Sequence, residues 1–230
     1  MARWKSVNSR LNRFVSLGAL ALLAGCQSSP VQPARAPVPV AAPSPAAPGA
    51  GAANPGAASA GAEVPVQAAQ QYAQALYLMK AGRNTDAELE FKQIAVAYPQ
   101  FAGPQLNLGL LYLHDSRLPE AEGAFKAALE LAPANPVAGD ELGIVERKLG
   151  KFTDAEAAYL RAIAAEPNYA PAHLNLGVLY DLYMAEPQKA LDQFERYIEI
   201  AGENKQVAGW VVELRKRAGG PAPAAKKEPV

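Results

Sequence analysis

The chain has 230 residues, half of them apolar, yet Ala supplies much of that share and aromatics are only 7%. One Cys and two His exclude an internal disulfide and any metal site built from paired cysteines. Twenty-two cations balance 22 acids, but four of the cations (Arg3, Lys5, Arg10, Arg13) fall in the first 25 residues; without that segment 18 face 22, a net charge of −4 that does not suit a nucleic-acid partner.

Residues 1–25 read as a secretory signal, with a basic start and an apolar run from Phe14 to Leu23. That run is about half the roughly 20 residues a membrane span needs. It ends in Leu23-Ala24-Gly25-Cys26, and Cys26 is the only cysteine of the chain. The segment resembles the bacterial lipobox, which implies cleavage before Cys26 and lipidation of its thiol. Several acyl chains would hold the protein stably on a membrane. Gln27 stands where an Asp favours inner-membrane retention in enterobacterial lipoproteins. The resemblance therefore implies the outer membrane, periplasmic face.

Residues 26–67 hold the lipidated Cys and a Pro/Ala-rich stretch with nine Pro and almost no large apolar side chain. Such a segment cannot offset its ordering entropy and is expected to be a disordered tether.

From residue 68 a period emerges. Ala87, Ala121, Ala155 and Ala190 are spaced 34, 34 and 35, each followed four residues later by Phe91, Phe125, Tyr159 or Phe194. Ala75, Gly109, Gly143 and Gly177 recur at 34, as do Pro99, Pro133 and Pro167. Gln105-Leu106-Asn107-Leu108-Gly109 and His173-Leu174-Asn175-Leu176-Gly177 are near copies. The small residues let two helices approach, the aromatic fills the gap, and Pro ends each unit. In the second unit the helices are expected over 104–114 and 118–131. Gly82 and Gly150 suit left-handed caps between paired helices.

These residues resemble the tetratricopeptide repeat family, whose period is about 34. The resemblance implies an all-α, right-handed α-solenoid of four helix-turn-helix repeats over 68–101, 102–135, 136–169 and 170–204. Two departures stand out. Gln71 and Gln74 make the first helix polar, as a solvent-facing end requires. The fourth repeat carries one extra residue, expected in its inter-helix turn near Ala185-Glu186-Pro187. Residues 205–217 place Val207, Trp210, Val211 and Leu214 on one stripe and read as a capping helix over the last repeat. Residues 218–230 read as a disordered tail.

No catalytic, cofactor or metal motif is present, and no enzymatic activity is expected. His173 is expected to be structural. The resemblance implies instead a concave groove lined by the first helix of each repeat. Carried over position by position, it places Tyr72, Leu76 and Met79 there from the first repeat. The second contributes Leu106, Leu110, Leu113 and His114, the third Asp140 and Ile144, the fourth Leu174 and Val178. A strip this apolar implies a protein or peptide partner; the competing reading is that these residues pack on one another, the cap or the tether. Tyr72 and Leu76 replace the Lys and Asn of the carboxylate clamp of chaperone-binding members. Residues 68–204 carry 11 cations against 19 acids, and residues 205–230 six against two, so the array is acidic and the C-terminal end basic.

The expected function is a lipid-anchored periplasmic adaptor in an envelope complex. Pilus or secretion assembly ranks first. Partnership with a Tol/Ton-type energy-transducing complex and recruitment of peptidoglycan hydrolases are the alternatives, and a ligand-binding receptor module is the alternative of another class.

Overall fold

A computed structural model describes residues 64–217. The signal, Cys26, nearly all of the tether, and the tail lie outside the described residues. Among the described residues the structure is nine α-helices and no strand. They are α1 (Val66–Lys80), α2 (Asn84–Ala97), α3 (Ala102–His114), α4 (Leu118–Leu131), α5 (Pro136–Lys148), α6 (Phe152–Ala165), α7 (Ala170–Leu179), α8 (Pro187–Ala201) and α9 (Lys205–Arg217). Each odd helix from α1 to α7 pairs with the even helix that follows, and each pair stacks on the next.

Two boundaries differ from expectation. The array begins at Val66, two residues into the expected tether, because Pro65 in an extended conformation precedes a helix-competent run. Helix α3 begins at Ala102, ahead of Pro104, since a proline in the first turn removes only an N–H that has no intrahelical partner.

The periodic residues meet as their spacing requires. The four recurrent alanines of the second helices and the aromatics that follow them are fully buried or nearly so. A Cβ added to Gly109 would stand 2.6 Å from the Phe125 ring, one on Gly143 2.5 Å from Tyr159, and one on Gly177 2.6 Å from Phe194. No side chain fits at those distances, so glycine is what lets these three pairs close onto their aromatics, while Ala75 holds the same place in the first. Burying one such ring contributes roughly 2–3 kcal/mol.

The turn within each pair reverses at one left-handed residue: Gly82 (φ 72°), Ser116 (φ 59°), Gly150 (φ 76°) and Ala185 (φ 56°). The next N–H closes the helix end. Arg83 donates to Leu78, Arg117 to Tyr112 and Lys151 to Glu146, each five residues back, whereas Glu186 donates to Tyr180, six back. The extra residue of the fourth repeat therefore sits inside its first helix and not in the turn. It is absorbed by a π-helical continuation of α7, Tyr180–Met184, which leaves the turn as short as in the other repeats.

Helix α9 lies on α8, where a fifth repeat would start. Asn204 Oδ1 accepts from the N–H groups of Gln206 and Val207 and so caps it. Val207, Val211 and Leu214 are buried, and the half-buried Trp210 ring lies 5.3 Å from that of Phe194. Arg215 bonds Glu195, and Arg217 bonds Asp181 on the continuation of α7. The stripe read from the sequence is the face that covers Phe194.

Candidate functional site

Helices α3, α5 and α7 lie side by side, each packed on its second helix, and the face turned away from α4, α6 and α8 is the one the repeat resemblance implies to be concave. The expected groove residues divide there by burial. Leu76, Met79, Leu110, Leu113 and Leu174 are half-buried, and His114 is exposed. Tyr72, Leu106, Asp140, Ile144 and Val178 are buried, at 2 to 8% exposure. The expectation of a continuous exposed strip is thus corrected. Adjacent first helices are close enough to cover these five, leaving two leucines of α3 flanked by Leu76 and Met79 on one side and Leu174 on the other.

Tyr72 shows what the covering does. Its ring lies 4.9 Å from Phe101 and 5.7 Å from Phe91, and its hydroxyl accepts from Asn107 Nδ2 at 2.6 Å. Burial pushes the hydroxyl pKa up to about 12, against the pull of that hydrogen bond. Asn107 also donates to the Gly103 carbonyl at 2.9 Å. Two repeats on, Asn175 Nδ2 donates to Asp140 Oδ1 at 2.9 Å. These asparagines tie neighbouring first helices beneath the groove. They lie in the two near-identical segments of the sequence, whose repetition is the signal that marks them.

The third repeat differs. Asp140 is raised to about 7, by burial first, against the hydrogen bond from Asn175 and the charge of Arg147. Glu141 is also raised to about 7, by burial and then by Asp140. Arg147 is turned to aromatic neighbours: its Nε donates to the Tyr159 hydroxyl at 3.4 Å and its guanidinium stands 5.6 Å from the Tyr183 ring centre. Glu146 occupies the place held by Tyr112 and Tyr180 one repeat either way. It is buried, its Oε2 has no hydrogen-bond partner, its other oxygen is 3.4 Å from Lys126 Nζ, and burial raises its pKa. Neither Glu141 nor Glu146 stands out by spacing in the sequence.

His114 Nδ1 lies 2.8 Å from Asp115 Oδ1 at the exposed end of α3. His173 is buried, with its ring nitrogens 2.8 Å from Gln193 Oε1 and 3.0 Å from the Pro167 carbonyl, which ties α7 to α8 and to the preceding turn. Among the described residues no group of His, Cys, Asp or Glu is placed to hold a metal ion, and no helix is long and apolar enough to cross a membrane.

Residues 72–136 match a family model described as the tetratricopeptide repeat, and residues 143–181 match a second described as the TPR repeat. The described array is a solenoid of tetratricopeptide repeats. A solved structure of MamA is 25% identical with a TM-score of 0.59, covering 63% of this chain and 84% of that one. A structure of Pseudomonas aeruginosa pilF shares the fold at 18% identity, with a TM-score of 0.59, covering 66% of this chain and 69% of that one. Among curated proteins, human Superkiller complex protein 3 is 29% identical over 131 residues, which are 54% of this chain and 8% of that protein. The Candida albicans peroxisomal targeting signal receptor is 30% identical over 77 residues, 34% of this chain and 13% of the receptor. The chain thus spans only a small part of the curated relatives it matches.

Proposed function

We propose that the protein is a non-enzymatic adaptor that holds a segment of a partner protein on the concave face of its repeats. The observation that carries this is the patch of half-buried apolar side chains, Leu76, Met79, Leu110, Leu113 and Leu174, on the face turned away from the second helices. Water contact with such side chains is relieved when a peptide or helix lies across them. The repeat architecture supports the reading, since repeats of this family mediate protein–protein interactions.

The adaptor is lipid-anchored at Cys26 on the periplasmic face of a bacterial outer membrane, with the Pro/Ala-rich segment as its tether. This part rests on the sequence of residues 1–67. Pilus or secretion assembly is the first assignment, ahead of a Tol/Ton-type complex or the recruitment of peptidoglycan hydrolases.

The test is the double substitution Leu110→Glu and Leu113→Glu. Leu106 is too deeply buried for this purpose, because a charge there would unfold the repeat. The double variant is expected to keep its helical circular dichroism and to lose partners recovered by in-cell cross-linking of the tagged, full-length protein. Undiminished recovery would move the contact to another surface.

A further inference from the structure

Asn107, Glu141 and Asn175 hold the same place in three successive repeats, 34 residues apart. Each lies two residues before the glycine that meets the second-helix aromatic, so about 200° round the helix from it, on the concave side. Asn107 bonds Tyr72, 35 residues back, and Asn175 bonds Asp140, also 35 back. The residue 35 before Glu141 is Leu106, which offers only hydrocarbon. Glu141 is therefore the member of the series whose half-buried carboxylate has no hydrogen-bonding neighbour among the described residues.

Its surroundings narrow the chemistry that can pair with it. Asp140 beside it is buried, and its carboxyl disfavours the charged form of Glu141. On the same helix, Arg147 is engaged with Tyr159 and Tyr183. From α6 the ionisable group acting on the pair is Tyr159, and from the turn before α7 it is Tyr169, with Glu166 nearby. On α3 the ionisable residues are Tyr112, stacked under Arg117, and His114, bonded to Asp115. On α7 and its continuation they are His173, bonded to Gln193 and Pro167, Tyr180, bonded to Glu156, Asp181, bonded to Arg217, and Tyr183, which faces Arg147. Asp140 has the hydrogen bond from Asn175 and the charge of Arg147, whereas Glu141 has neither, and a cation compensates its carboxylate more fully than a neutral donor does.

We propose that Glu141, with the buried Asp140 behind it, receives a lysine or arginine side chain of the segment held in the groove. The partner then presents a cation between apolar residues, those meeting Leu110 and Leu113 on one side and Leu174 on the other. The proposal rests on the groove reading above and names the chemistry of its occupant. The acidic excess of the repeats, 19 acids against 11 cations over residues 68–204, draws such a segment in.

The test is selection of a random 12-residue peptide display library on the full-length protein, with counter-screening on Leu110→Glu/Leu113→Glu and on Glu141→Gln. The expected binders carry Lys or Arg between apolar residues, fail on the leucine variant, and weaken about tenfold or more on Glu141→Gln. Their affinity should also fall as pH drops from 8 to 5.5 and the pair takes up protons. Glu141→Gln should melt no lower than the parent protein, so its weaker binding cannot come from unfolding. Binders that need the leucines but carry no cation, or are indifferent to Glu141→Gln, would overturn the cationic occupant and leave the groove standing. Peptides indifferent to the leucines, or no binders at all, would overturn both.

Discussion

The second and third repeats are built on the same frame and differ in what they put on it. Gly109 with Phe125 and Gly143 with Tyr159 close the two helix pairs equally tightly, and the turns after α3 and α5 have a left-handed residue (Ser116, Gly150) at the same place and a capping bond of the same span. At the places where the second repeat has Leu106, Asn107 and Tyr112, the third has Asp140, Glu141 and Glu146. The frame needs only a few small and aromatic residues at fixed spacing. The remaining positions of the first helix are free to carry charge, and the third repeat uses that freedom at a cost in desolvation.

The largest expected effect tests the shared frame. Gly109→Ala and Gly143→Ala each drive a methyl group into an aromatic ring, and each should destabilise by about 2–4 kcal/mol in urea unfolding. The two should cost the same to within about 1 kcal/mol. Gly123→Ala, on an open face of α4 with nothing within 4 Å, should have the opposite sign, a gain of about 0.5–1 kcal/mol. A large difference between the first two variants would mean that the repeats do not share a frame.

The charged floor of the third repeat should be visible in the pH dependence of stability. Asp140 and Glu141 each titrate near 7 when folded and near the ordinary carboxylate value when unfolded. Between about pH 4 and 7 the native state holds protons that the unfolded chain has released. Their contribution therefore falls as pH rises through this window and stays low above it. Glu88, Glu120 and Glu122, held below the usual range by hydrogen bonds from Lys92, Arg117 and Lys126 respectively, act in the opposite sense and lose their contribution in acid. Melting temperature should accordingly be higher near pH 5 than at pH 8. Asp140→Asn keeps an acceptor for Asn175 and removes the charge. It should stabilise the protein at pH 8 by on the order of 1–3 kcal/mol and do little at pH 5. Leu106→Asn in the second repeat should show no such gain at pH 8.

The smallest expected effect concerns the turns. Gly150 and Ala185 hold the same left-handed place, and an alanine there is strained where a glycine is not. Ala185→Gly should raise stability by about 0.5–1 kcal/mol in the same urea experiment.

The frame was legible because it repeats. Each of its rules involves two side chains at one spacing, and four copies of Ala-x-x-x-aromatic point to the same packing. The groove was legible as a set of positions but not as a surface. Whether Leu106 or Leu110 meets water depends on how closely the neighbouring first helix approaches, and spacing along one chain does not contain that distance. The extra residue of the fourth repeat was legible as a length. Its place was not, because a π turn and a longer loop satisfy the same count. Glu141 was hidden for a related reason: it is unusual only beside Asn107 and Asn175, and only once those are seen to be hydrogen-bonded across the repeats.

The central claim is that partners are held on the concave face. The most direct measurement places a photo-cross-linking residue at Met79, Leu113 or Leu174 on that face, and at Leu89, Val96 or Leu160 on the exposed sides of the second helices. The full-length protein is then irradiated in cells and its adducts compared. A common adduct from the first three positions, absent from the last three, is the predicted result. An adduct that forms from the second helices and not from the groove would contradict it.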